Sequence, residues 1–268
     1  MLNKAITDQE FIQFQKLIYD IAGITMTAAK KPLVSGRLAR RLAHHGVGSY
    51  SDYFRILQRE GTAGELQIAV DLLTTNETYF FREPKHFEYL RDEILTHYRP
   101  GRPFRVWSAA CSSGQEPYTL AMVLADSLGE APWEIFASDI STRVLERART
   151  GQYALEQAAK VPKHYLGRYC LKGVGPQEGT FIVDRGLRNR IKFSQINLNQ
   201  ALPNVGEFDV IFLRNVMIYF NADTKRQVVR RLSEQLRRGG HMIIGHSESL
   251  NGVTEELAVV KPSIYRKP

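Results

Sequence analysis

The sequence predicts an α/β chain, a mainly parallel sheet with helices on both faces, preceded by an all-helical N-terminal part. Three observations carry that reading. From Arg102 onward short apolar runs alternate with helical patterns, which is the grammar of a parallel sheet. Before that, residues 1–75 show helical periodicity and no strand alternation. Between the two, the apolar run 104–107 breaks at once into seven small or polar residues, 108–114, and a helical pattern opens at Glu116 and Pro117. Strand, tight loop and helix in that order let a backbone approach a nucleotide-like ligand closely.

The bulk of the chain narrows the class further. With 268 residues, 43% hydrophobic and 24% charged, the chain holds a real core and is not disordered. No apolar run reaches the ~20 residues that span a bilayer. The start, MLNKAITDQEF, has neither the basic opening nor the apolar stretch of a leader. Two cysteines, Cys111 and Cys170, make no disulfide framework, and neither has metal-ligand spacing. A cytoplasmic, reduced, monomeric protein without a bound metal is expected. The net charge of +8 favours acidic partners.

Element by element, Thr7 or Asp8 caps a first helix with Phe11, Phe14, Ile18 and Ile21 on one side, and Gly23 stops it. A second helix is expected over 32–45. It sets Arg37, Arg40, Arg41 and His44 at i, i+3, i+4 and i+7 on one face, with Leu33, Leu38 and Leu42 on another. Two short helices follow near 50–59 and 64–73. Strands are expected near 104–109, 134–138, 191–196, 208–213 and 241–246, and helices near 116–128, 141–149 and 222–237. The tail, 257–266, reads as two strands around Pro262. Residues 151–190 interrupt the alternation: the β-prone segments 165–171 and 180–183 flank a turn rich in glycine and proline, which reads as a small antiparallel insertion. The domain reading is therefore 1–75 helical, 76–101 linker and junction, and 102–268 the α/β part.

Three constellations bear chemistry. In the loop 108–114 only Gly114 is a glycine, which departs from the three-glycine dinucleotide fingerprint. Glu116 at the head of the next helix would repel a pyrophosphate but favour a cationic ligand, as the sulfonium and ammonium of S-adenosylmethionine would be. The strand 133–138 ends in Asp139, an acid placed to hold ribose hydroxyls. The segment 74–83 holds Asn76, Thr78 and Arg82; taken singly, Asn76 and Thr78 read as helix caps, and Arg82 with Glu83 as a surface pair. The strand 208–213 runs straight into Arg214 and Asn215, polar groups at the edge that faces the ligand crevice.

Together TNETYFFRE, WSAACSSGQEPYTLA, FASDIS and FLRNVMIYF resemble the motifs of the bacterial chemotaxis receptor methyltransferases, in order and over nearly the whole chain. The resemblance implies a class I, Rossmann-like, S-adenosylmethionine-dependent protein-glutamate O-methyltransferase. It implies that Asn76, Thr78, Arg82, Glu116, Asp139, Asn197, Leu198, Arg214 and Asn215 hold the cofactor, and that Arg82 and Tyr219 act near the transferred methyl. It implies a substrate in the helical cytoplasmic region of the receptors, met by the face of Arg37, Arg40, Arg41 and His44. It also implies that the insertion, at Gly173 and Gly175, takes a receptor C-terminal peptide as an added strand. An accepting glutamate, with an ordinary pKa near ~4.3, is already ionised at neutral pH and needs no general base. The rival class is a nucleic-acid methyltransferase, which the charge allows. Against it, no Asn/Asp-Pro-Pro-aromatic motif follows Phe212, and neither cysteine follows a proline as a C5-attacking nucleophile commonly does.

Overall fold

The computed structural model describes residues 5–99 and 101–268. Residues 1–4, part of the start read as leaderless, and Pro100, inside the expected linker, lie outside them. The chain divides into two compact units. One runs through Thr75 and takes in Tyr219–Thr224; the other holds Asn76–Ile218 and Lys225–Pro268.

The first unit is helical because its caps and apolar stripes agree. Helix α1 (Asp8–Ala22) opens on a capping box: Thr7 accepts from the Glu10 backbone while Glu10 reaches back to Thr7. It ends at Gly23, whose left-handed φ of 70° suits a residue without a Cβ. Its stripe of Phe11, Phe14 and Ile18 is buried, and Phe14 meets the rings of Tyr50, Tyr53 and Phe54 on α3 (Tyr50–Leu57). Between them α2 (Lys31–His44) buries Val34, Leu38 and Leu42. α4 (Ala63–Leu73) sends Glu65 inward, where it accepts from Arg41 Nε at 2.9 Å and from the Tyr53 hydroxyl at 2.6 Å.

The second unit is built on a seven-stranded sheet. Its strands are β1 (Phe104–Ser108), β2 (Trp133–Asp139), β6 (Ile191–Gln195), β7 (Phe208–Leu213), β8 (Leu236–Ile244), β9 (Ala258–Lys261) and β10 (Ile264–Arg266), in the order β6-β2-β1-β7-β8-β10-β9. The first five are parallel, and β10 runs antiparallel to β8 and β9. Successive residues Val106, Trp107 and Ser108 are all fully buried. Neighbouring side chains on a strand face opposite ways, so both faces of the sheet are covered. The indole of Trp107 donates to Ser138 Oγ at 2.9 Å, tying β1 to β2. Helices α6 (Gln115–Leu128) and α7 (Thr142–Thr150) pack on β2. The chain leaves β1 toward β2 on one side and returns as β7 on the other, so a crevice opens at the carboxyl ends of β1 and β7.

Two expectations change. The segment read as a linker is part of this unit's core: Phe80, Phe87, Leu90 and Leu95 are buried in it, the last three on α5 (Lys85–Tyr89) and the turns after it. In the insertion, strands β3 (Gln152–Ala154), β4 (Cys170–Lys172) and β5 (Thr180–Val183) pair antiparallel in the order β3-β5-β4. Most of 165–171, expected as a strand, is instead α8 (Lys163–Tyr169). The reason is its period: Tyr165 and Tyr169 are both buried, one turn apart on one helical face. β-prone composition gave way to that packing.

Candidate active site

The ends of five strands and the segment 76–83 of the second unit supply the site. After β1 the backbone bends sharply, with Ser112 at φ 49° and Gly114 at φ 96°. A Cβ on Gly114 would stand 2.8 Å from the Tyr153 hydroxyl and 2.9 Å from the Ala148 Cβ, so the position admits glycine alone. The loop is pinned to the end of β2: Ser112 N–H donates to Asp139 Oδ2 at 2.8 Å, and Cys111 N–H donates to the Ser138 carbonyl at 2.9 Å. The Asp139 carboxylate also accepts from Ser141 N–H at 3.0 Å, through Oδ1. Ser112 Oγ donates to the Asn76 carbonyl at 2.9 Å, bringing the 76–82 segment to the loop.

Arg214 is the electrostatic centre. Its side chain is only 2% exposed and lies between two carboxylates. Nη1 donates to Glu116 Oε2 at 2.9 Å, and Nη2 donates to Glu83 Oε2 at 3.0 Å and to the Arg82 carbonyl. Ser108 donates to the other Glu116 oxygen at 2.7 Å. Asn215 Nδ2 donates to Glu83 Oε1 at 3.1 Å, and His246 N–H donates to Oε2 at 3.1 Å. Burial works against the charge on Glu83. Arg214 and the hydrogen bonds from Asn215 and His246 overcome it and hold the carboxyl below its ordinary value. Two acids on one guanidinium leave a net negative charge, and Asp139 adds another.

Glu116 has a protein partner that its sequence position did not reveal. Its carboxylate is not a bare charge awaiting a cation but one arm of an ion pair with Arg214. The expectation for Glu83 is corrected: it pairs with Arg214 rather than with its neighbour Arg82. Arg82 donates to the Glu77 carbonyl at 2.9 Å, with its guanidinium over the Tyr79 ring at 5.7 Å. Thr78 is half-buried on the same segment. Leu198 is buried and Asn197 half-buried just past β6; Asn197 Oδ1 accepts from Asn199 N–H at 3.0 Å, and Ile196 N–H donates to the Asp139 carbonyl at 3.0 Å.

Tyr219 falls in the first unit, where its carbonyl accepts from Thr25 N–H at 2.8 Å. On α2 the basic face is divided. Arg37 donates to the Thr74 carbonyl at 2.9 Å and Arg41 to Glu65, while Arg40 and His44 are exposed. Cys111 is buried, and burial pushes its thiol well up.

The chain matches the model of the CheR methyltransferase SAM-binding domain over residues 76–266, and that of the CheR all-alpha domain over 9–74. It belongs to the CheR methyltransferase family. The chemotaxis protein methyltransferases of Salmonella typhimurium and of Escherichia coli are each 41% identical over 264 residues, covering 97% of this chain and 91% of theirs. Chemotaxis protein methyltransferase 2 of Pseudomonas aeruginosa is 41% identical over 262 residues, covering 97% and 93%. As a CheR-family chain it carries an S-adenosylmethionine-binding domain, and the residues present fit that group. The glycine-only bend gives close backbone approach, Asp139 offers acceptors for a ribose, and the net negative charge around Arg214 suits a sulfonium and an ammonium.

Glu83 and Glu248 were missed as site residues. Glu248 had a signal: an acid just past the carboxyl end of a predicted parallel strand, in the run Gly245-His246-Ser247-Glu248. Among the described residues no helix is long and apolar enough to cross a membrane. Glu83, His86 and His246 place metal-ligating atom types within 4.8 Å of one another, but Arg214 already supplies the positive charge there.

Proposed function

We propose that this chain methylates glutamate side chains of chemotaxis receptors, forming glutamyl methyl esters. The observation that carries the reading is the ion-paired arrangement of Glu83, buried Arg214 and Glu116, with Asp139 at the end of β2, in a CheR-family SAM-binding domain. S-adenosylmethionine, when bound, supplies an electrophilic methyl group on a sulfonium, and S-adenosylhomocysteine is left after transfer.

In this reading Asn76, Thr78, Arg82, Glu116, Asp139, Asn197, Leu198, Arg214 and Asn215 hold the donor. Asp139 accepts from hydroxyls. The acids around Arg214 favour a cation over its neutral product, which assists product release. Arg82 orients the incoming carboxylate, and Tyr219 hydrogen-bonds near the acceptor oxygen. These residues align the reactants and keep water away from the acceptor; a carboxylate needs no base to attack.

Receptor contact is proposed at two places. Arg40 and His44, the exposed part of the α2 face, meet an acidic receptor helix. β4 is an outer strand of the small sheet, and Leu171 within it and Val174 just after it are 61% and 77% exposed. That edge is suited to an added peptide strand. Gly173 is required by its own turn, since a Cβ there would lie 2.0 Å from the Gln177 carbonyl oxygen.

The test is transfer of labelled methyl from S-adenosylmethionine to a receptor cytoplasmic fragment. Alkali-labile label that disappears when candidate glutamates are changed to alanine is the expected result. Label that resists alkali, or that appears on RNA instead, rejects the proposal.

A further inference from the structure

Immediately after β7 the chain turns back through residues 214–218, and Asn215 sits at φ 57°. A left-handed conformation is strained for an L-residue, least so for asparagine, and contacts around it hold it in place. On the backbone side the surroundings are one carboxylate. Asn215 N–H donates to Glu248 Oε2 at 2.9 Å, Gly245 N–H donates to the same oxygen at 2.7 Å, and Ile218 N–H donates to Oε1 at 3.2 Å. Space is equally restricted: a Cβ on Gly245 would lie 2.5 Å from Asn215 Nδ2 and 2.9 Å from Glu248 Oε2. From the other side Glu83 takes the Asn215 amide. Asn215 is thus held by two carboxylates, one on its backbone and one on its side chain, and Ile218 is anchored one residue before Tyr219.

We propose that Glu248 is a positioning residue for methyl transfer: its carboxylate locks residues 215–218 in the one conformation that presents Asn215 to the donor. The proposal rests on Arg214 and Asn215 lining the donor site. Hydrogen bonds from N–H groups to a carboxylate are about twice as strong as neutral ones, so three of them on one side chain outweigh the cost of the Asn215 conformation. Protonation removes an acceptor and turns one oxygen into a donor. Burial pushes the Glu248 carboxyl above its ordinary value, although its backbone donors pull the other way. Turnover should therefore fall on the acid side at a pH above the ordinary carboxylate range.

Among the described residues, the other charged or titratable groups near this loop include Glu83, Arg214, His86, His246 and, next to Ile218 in the chain, Tyr219. Glu83 is held low by Arg214. His86 is pushed to about 3 by burial and by Arg214. His246 is exposed and is tested separately.

The experiment compares wild type, Glu248→Gln, Glu248→Ala and His246→Gln across pH, with calorimetric titration of S-adenosylhomocysteine and thermal unfolding on the same samples. The Gln side chain keeps the shape but turns a donor toward one of the N–H groups. Both Glu248 variants should lose at least tenfold in kcat while remaining folded. Glu248→Gln should also lose the part of the acid limb that lies above the ordinary carboxylate range, which wild type and His246→Gln retain; protonation of the acceptor glutamate leaves a limb near ~4.3 in all of them. Wild-type turnover in the Glu248 variants, or a limb above that range that survives in Glu248→Gln, overturns the positioning role alone. Failure of wild type to bind S-adenosylhomocysteine overturns the underlying site reading instead.

Discussion

Arg214 and Glu116 meet at 2.9 Å with the arginine side chain only 2% exposed, so a charge pair sits where the ends of β1 and β7 diverge. Glu83 closes the other side of the same guanidinium. Buried charges of this kind are stable only as a set, since removing one strands the others.

Arg214→Met should therefore leave two acids without their cation. A loss of about 3–5 kcal/mol is expected, read as a lowered urea midpoint. Arg214→Lys should recover only part of it, because one ammonium cannot reproduce the fork that reaches both acids. Equal stability of the methionine variant and wild type would contradict this account.

Gly114→Ala places a methyl group where the Tyr153 hydroxyl and the Ala148 Cβ already stand, at a φ of 96°. A destabilisation of about 1–3 kcal/mol is expected from overpacking together with the strained backbone. Loss of S-adenosylhomocysteine affinity should accompany it, because the loop must shift; calorimetry on the folded fraction reads this directly.

Asp139→Asn keeps size but turns an amide N–H toward the backbone N–H of either Ser112 or Ser141. S-adenosylhomocysteine should bind at least tenfold more weakly, on the scale of one lost charge-assisted hydrogen bond. Titration of the two proteins side by side checks it, and unchanged affinity would remove Asp139 from the site.

The first unit carries its own pH dependence. Burial works against the charge on Glu65, but hydrogen bonds from Arg41, Tyr53 and His45 prevail and bring its carboxyl to about 2 from an ordinary 4.5. A depressed carboxylate contributes stability that is complete above the unfolded pKa and is lost as pH falls through the folded one. Helical-unit stability should thus decline between about pH 4.5 and 2, and Glu65→Gln should be less stable at neutral pH with a flatter decline. Circular dichroism in urea at several pH values measures both.

Replacing Arg40 and His44 with glutamate should weaken receptor methylation in a salt-dependent way and leave S-adenosylhomocysteine affinity unchanged. The pair is chosen because Arg37 and Arg41 bind the Thr74 carbonyl and Glu65; reversing those would also unsettle the helices. Equal methylation of both proteins at low salt would exclude this face from docking.

Local pattern and composition sufficed for the strand–loop–helix at 104–128, the acid closing β2, the helices before Thr75 and the family motifs. Each is a short-range property, a period, a cap or a run, that chain neighbours impose. Tertiary structure alone decided the rest. The partner of Arg214 lies 98 residues away at Glu116 and that of Asn215 lies 33 residues away at Glu248, and no local pattern encodes which distant carboxylate a buried cation or an N–H group will meet. Strand order brings them together, and desolvation then forces the pairing.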